Sequence, residues 1–273
     1  MEYTISWLTK FVNLHLGHAA MALLAAMHIT PSHPETPIPE QVVMGVVAAL
    51  IGTLLALFLR FRLSVDKPGA TQQLAEWLIT NSQGFGIRDI LRENAGHDAD
   101  EYIFLVGSIT IFILISNLFG VIPTVVNPPT SDKSAPFAAA ILVFCYFNWR
   151  GFRKHGALGY WKTFTGGVHW TLVPLIFPVE IISTFARLLS LTVRLWANIF
   201  ASDLLYELFV FLFAQVALWG WQHSHPLGVA MGILPATLPL IFLGLHTFVS
   251  FVQAYVFTIL PSVYLGMATA ESH

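Results

Sequence analysis

Five ionisable residues stand in one long apolar stretch, roughly 171–219: Glu180, Arg187, Arg194, Asp203 and Glu207. A charge near the centre of a bilayer costs about 2.5–3.5 kcal/mol on insertion scales. Five in one segment therefore each call for a partner and a task. Carboxylates beside a permanent cation in a low-dielectric medium suit the movement of protons or small cations. Helical geometry sorts the five. At about 100° per residue, Arg187 lies about 20° from Arg194 and Glu180 about 40° from it, so these three share a stripe. Asp203, nine residues past Arg194, lies about 180° round, and Glu207 shares its face. One helix thus offers two polar faces at different depths.

The final apolar stretch, 227–268, carries its own polar line. His246, Gln253 and Tyr264 fall within about 20° of one another in succession. Polar side chains in line on an apolar helix suggest a water-accessible path. A polar break, Trp221 to Pro226, separates the two stretches. If it reverses the chain, facing residues have numbers of nearly constant sum. One register then sets Gln253 level with Arg194 and His246 level with Asp203.

The elements that must hold these residues follow from composition. Of 273 residues, 56% are hydrophobic and 10% charged, against about 25% charged in a soluble domain. Mean hydropathy is +0.70. The net charge of −2 and the lack of a basic block give no reason to expect nucleic acid. Apolar runs predict an all-α integral membrane protein of about five spans: 41–59, 102–125, 135–149, 171–219 and 227–268. They form one membrane domain, 41–273, after an N-terminal apolar or interfacial segment, 1–40. In that segment Lys10 precedes an apolar run, Ala19 to Met27, in the manner of a secretory signal. A clear small-x-small cleavage site is lacking before Pro31, so a retained apolar or interfacial helix is expected.

The last two stretches are too long for upright spans. Forty residues of helix measure about 60 Å, and a bilayer core is about 30 Å thick. They must tilt or break, and Pro235, Pro239 and Pro261 permit bends. A long, tilted antiparallel hairpin is the economical expectation. Basic residues collect after span one (Arg60, Arg62, Lys67, Arg88, Arg92) and after span three (Arg150, Arg153, Lys154, Lys162). The positive-inside rule puts both on the cytoplasmic side, with the N-terminus outside and the C-terminus inside. Residues 70–95 have Leu74, Trp77, Leu78, Ile87, Ile90 and Leu91 at helical spacing, which predicts a short interfacial helix. Cys145 is expected as a small buried hydrophobe. Asn117 is read as capping or packing a span end. His223 and His225 read as solvated loop histidines rather than metal ligands.

At this point the residues resemble a known family. SLTVRLWANIFASDLL, Ser190 to Leu205, and LHTFVSFVQAYVFTILPSVYL, Leu245 to Leu265, look like the two signature helices of subunit a of the F-type ATP synthase. NLFGVIPT, Asn117 to Thr124, is similar to the end of an earlier span of that family. The resemblance implies functional roles for Arg194, Asn198, Asp203, His246, Gln253 and Glu180, with Arg187, Glu207 and Tyr264 as secondary candidates. The sequence departs from the family in three places. Trp196 and Ala197 precede Asn198 where Gly is common, Arg187-Leu188 stand where Lys-Pro often stands, and Asp203 replaces the usual Glu.

What the resemblance implies is a stator subunit that packs against a rotating ring of c subunits. It implies further contacts with subunit b of the peripheral stalk and other synthase subunits in a lipid bilayer, expected to be a bacterial plasma membrane. Arg194 would divide two offset proton half-channels, with Asp203 and His246 in the outer one and Glu180 in the inner one. Gln253 and Asn198 would orient Arg194 or water. No cofactor or metal is implied. No glycine-rich phosphate loop occurs, so the chemistry of ATP is expected in other chains. The alternative is a secondary ion-coupled transporter, but no internal repeat supports it. A redox subunit would need paired His ligands within spans, and only His246 lies deep in one.

Overall fold

The computed structural model describes residues 6–28, 30, 34–81, 85–121, 128–165, 171–223 and 225–270. These form eight α-helices and no strand. In order they are α1 (Trp7–Ala26), α2 (Glu40–Phe61), α3 (Ala70–Ile79), α4 (Ile87–Ala95), α5 (Ala99–Leu118), α6 (Ser134–Thr163), α7 (Val173–His223) and α8 (His225–Thr269). Helices are what lipid permits, because each backbone group is satisfied within its own segment.

Four stretches are long and apolar enough to cross a membrane: α2, α5 with its 3-10 extension to Val121, α7, and Leu240–Thr269 of α8. α6 covers the remaining expected span, 135–149, and is not one of these four. It is apolar over 135–149 and then turns basic at Arg150. Gly156 breaks it, with φ at +71°, a conformation costly to residues with a Cβ. The chain folds back there. The Tyr160 ring lies so close to Gly151 that an added Cβ would meet it at 2.2 Å. The Tyr160 hydroxyl donates to Asn148 Oδ1 at 3.0 Å.

Lipid tails give helices no hydrophobic reason to associate, so close packing and polar contacts hold them. The core joins α4 through α8. Tyr102, Val106 and Ile113 of α5 pack with Phe147 of α6, Leu191 and Leu195 of α7, and Phe257 of α8. The buried hydroxyls of Thr110 and Thr258 meet at 2.8 Å and bind α5 to α8. The N-terminal segment is clasped by one side chain. Asn13 donates to the Thr9 and Ile38 carbonyls and accepts from the Ile38 N–H at 2.9 Å.

Two expectations change. Residues 70–95 hold two helices rather than one. α3 lies at the surface and exposes Leu74 and Trp77. α4 is built into the bundle, with Ile87, Ile90 and Leu91 buried. It fits because Gly266 of α8 carries no side chain: a Cβ there would sit 2.0 Å from the Asn94 carbonyl oxygen. Cys145, expected to be buried, is exposed. It faces outward on a helix that lipid surrounds, where a thiol behaves as a small hydrophobe.

Both basic loops lie at one end of the bundle. Arg150 pairs with Glu101, and Lys154 Nζ approaches Asp98 Oδ2 to 2.6 Å. Arg88 of α4 reaches Asp100 at 2.9 Å. The first turn of α5 thus joins the segment after span one to the segment after span three.

The hairpin of α7 and α8 dominates the fold. With 51 and 45 residues, the helices are about 76 and 68 Å long. That is more than twice a hydrocarbon core of about 30 Å. Helices apolar over such lengths fit a bilayer only by lying obliquely.

Candidate functional site

α7 has one packed face and one open face. Leu191, Leu195 and Ile199 recur every four residues and are fully buried against neighbouring helices. Leu189, Val193, Phe200 and Leu204 are exposed. Arg194 belongs to the open face. Its described hydrogen-bond partner is the Ser190 hydroxyl, 3.5 Å from Nη2 and at the limit of such a bond. The guanidinium is also near enough to Tyr264 to interact electrostatically. A cation is thus presented outward from a surface that is otherwise apolar.

Toward the start of α7 three expected residues converge. Arg187 Nη2 lies 3.6 Å from Glu180 Oε1, as their shared stripe predicted. The Arg187 guanidinium carbon sits 5.6 Å from the centroid of the Tyr264 ring, within range of a cation–π contact. Two residues of α7 and one of α8 therefore form a single polar cluster.

The other cluster lies further along α7. His246 is only 6% exposed. Its Nδ1 is 2.9 Å from the Ser202 hydroxyl, and its Nε2 is 3.2 Å from the Asn117 carbonyl oxygen. His246 and Asp203 were expected level with each other, and they lie within electrostatic reach. Asp203 is half-buried and within electrostatic reach of both His246 and Glu207, but the hydrogen bond goes to its neighbour. Glu207 is exposed. The end of α5 closes this cluster. Asn117 is fully buried, and its Oδ1 accepts from the Thr130 hydroxyl at 2.8 Å. A Cβ at Gly120 would lie 2.5 Å from His246 Nε2, so only glycine leaves room for the ring.

Ser202, Asn117, Gly120 and Thr130 were not among the expected site residues. Ser202 adjoins Asp203, and the NLFG of residues 117–120 already marked a span end, so both segments carried a signal. The antiparallel register holds. Ser202 against His246, Tyr206 against Phe242 and Arg187 against Tyr264 all fall within a few positions of the expected alignment.

Between the clusters lie Asn198 and Gln253. Asn198 Nδ2 and Gln253 Oε1 are buried with no hydrogen-bond partner among the described residues. An unmet buried polar group costs about 1–3 kcal/mol. Both are on the helices that carry Arg194 and the two clusters. Among the described residues, no group of three His, Cys, Asp or Glu side chains is placed to hold a metal. His223 lies against Trp219 with ring centroids 4.1 Å apart and planes tilted by 35°, and His225 stacks on Trp221 at 4.6 Å.

The arrangement can exchange protons at two separate places. About 34 Å of helix separates Glu180 from Asp203, with Arg194 between them. Arginine stays charged at any ordinary pH, so protons crossing from one cluster to the other meet a fixed positive charge.

Comparison with known proteins finds relatives over most of the chain. The family model described as ATP synthase A chain matches residues 41–266. The chain is 35% identical over 269 residues to a protein named ATP synthase subunit a from Koribacter versatilis, covering 98% of each. It is 35% identical over 264 residues to the ATP synthase subunit a of Solibacter usitatus, covering 96% of this chain and 99% of that one. With the protein of that name from Desulfosudis oleivorans it shares 38% over 206 residues, covering 76% and 78%.

Proposed function

The chain belongs to the ATP synthase A chain family, and from that membership we propose that it is the ion-translocating stator subunit of an F-type ATP synthase. It provides two offset half-channels through which protons reach and leave the carboxylates of a c-subunit ring. The observation that carries this reading is Arg194, a permanent cation on the open apolar face of α7 between two polar clusters. A ring of apolar helices fits that face. A fixed cation beside a ring carboxylate favours its ionised form and so releases its proton. The same charge repels a proton that would hop directly between half-channels.

Each remaining residue has a part. Asp203 and His246 line the outer half-channel, with Glu207 nearer its mouth. Glu180, held by Arg187 and flanked by Tyr264, lines the inner one. Asn198 and Gln253 offer unmet polar atoms beside Arg194, suited to orient its guanidinium or water in the path. Subunit b is the expected stalk partner. The membrane is the plasma membrane of a bacterium, a reading supported by the bacterial source of the relatives named above. The basic end of the bundle is cytoplasmic, which puts the N-terminus outside and the C-terminus inside. A secondary transporter is not favoured, since the family assignment covers nearly the whole membrane domain.

Arg194→Ala tests the reading. Vesicles carrying the assembled complex should keep ATP hydrolysis and lose ATP-driven proton pumping to background. Pumping at the parent rate would refute it.

A further inference from the structure

The environment of His246 dictates its protonation in a way that the half-channel reading alone does not. Its Nε2 lies against a main-chain carbonyl, that of Asn117, at 3.2 Å. A carbonyl oxygen only accepts, so Nε2 carries the hydrogen. In the neutral ring Nδ1 is then the lone-pair nitrogen, and it faces the Ser202 hydroxyl at 2.9 Å. Such second contacts commonly decide which nitrogen of a histidine exchanges protons. Gly120 presses the ring into this position, since even a methyl group there would overlap Nε2. Ser250 adds nothing to the ring: its hydroxyl donates to the His246 carbonyl at 2.8 Å. Nδ1 is therefore the ring's lone-pair nitrogen, and Ser202 stands in front of it.

We propose that Ser202 is a relay hydroxyl of the outer half-channel, through which every proton taken up or released by His246 passes. The step balances without a further reagent. A proton reaches Ser202 Oγ as that hydroxyl gives its own hydrogen to Nδ1. One O–H bond forms, one breaks, and the imidazole becomes imidazolium. On release Nδ1–H returns its proton to Oγ as the hydroxyl's hydrogen leaves for Asp203 or adjoining water. Asp203 follows Ser202 in sequence and interacts electrostatically with His246. Asp203 is the charged group of α7 within electrostatic reach of the ring, Glu207 in turn acts on Asp203, and residues 115–121 at the end of α5 carry no charge. The hydroxyl supplies the contact to the imidazole that the Asp203 carboxylate does not make.

This inference rests on the half-channel reading, and the experiment separates the two. ATP-driven proton pumping is measured in vesicles carrying the assembled complex with Ser202→Ala, Ser202→Thr, His246→Ala, the Ser202→Ala/His246→Ala double variant and Arg194→Ala. ATP hydrolysis and the amount of chain in the membrane report assembly. Ser202→Ala should slow pumping at least fivefold per assembled complex, and Ser202→Thr, which keeps a hydroxyl, should restore most of it. The double variant should be no slower than His246→Ala alone, because both changes cut the same path. Pumping by Ser202→Ala within twofold of the parent, no rescue by threonine, or losses that multiply would each overturn the relay. If Arg194→Ala still blocks pumping in that case, the half-channel reading stands without it. If Arg194→Ala pumps normally, the half-channel reading itself fails. Should Ser202→Ala not assemble, Gly120→Ala reports on the same ring from α5. It should slow pumping, with no further loss in the His246→Ala background.

Discussion

At the scale of single residues, the sequence signal was cost. Arg194, Glu180 and Asp203 were legible because a charge in an apolar helix demands an explanation. The pair of Glu180 and Arg187 was also legible, because two residues seven apart share a helical stripe, and they do meet. The partner of His246 was not legible. It is a main-chain carbonyl on one side and a neutral hydroxyl on the other. Neither raises hydropathy or charge enough to stand out. Asp203 is also one methylene shorter than a glutamate, and here the contact to the ring comes from the preceding residue. The inner cluster gives a testable consequence. Glu180→Gln and Arg187→Met should each lower proton pumping. Because the two side chains act as a pair, the double variant should be no worse than the worse single one. Losses that multiply would show that Arg187 acts independently of Glu180.

At the scale of elements, α4 shows where pattern reading stops. Leu74, Trp77, Ile87, Ile90 and Leu91 repeat in the same way whether a helix lies on lipid or on protein. Nothing in that periodicity separates α3, whose apolar side chains are exposed, from α4, whose apolar side chains are buried. The deciding residue is Gly266 on a distant helix, where the Asn94 carbonyl takes the space of a side chain. Gly266→Ala should therefore lower the midpoint of thermal unfolding in detergent, at a cost of about 1–3 kcal/mol as for other overpacked sites. Gly244→Ala, where an added Cβ meets nothing within 4 Å, should leave the midpoint unchanged. Equal midpoints for the two variants would mean that α4 does not depend on this contact. The fold-back of α6 was hidden in the same way. Gly156 is one glycine among several, and only its positive φ marks the break.

At the scale of the whole molecule, composition and span length carried most of the architecture. The all-α class, the long hairpin and its register followed from apolar run lengths and the polar turn near 220–226. The gathering of both basic segments at one end also agrees with the expectation from charge, now with ion pairs to Asp98, Asp100 and Glu101 to hold it. What the chain lacks by itself is a cover for the open face of α7. A tagged chain extracted in mild detergent should co-purify with a small, very apolar protein in several copies. Recovery of the chain alone under conditions that keep the rest of the complex together would contradict the stator reading.

The obliqueness of the hairpin has a mechanical meaning. If α7 stood upright, the 34 Å or so of helix between Glu180 and Asp203 would span the whole hydrocarbon layer, one group at each surface. Leaning over, the same length becomes largely a sideways interval. On the half-channel reading proposed above, a carboxylate that loads at one port then unloads at the other only by travelling within the plane of the membrane, and a vertical voltage becomes a tangential push.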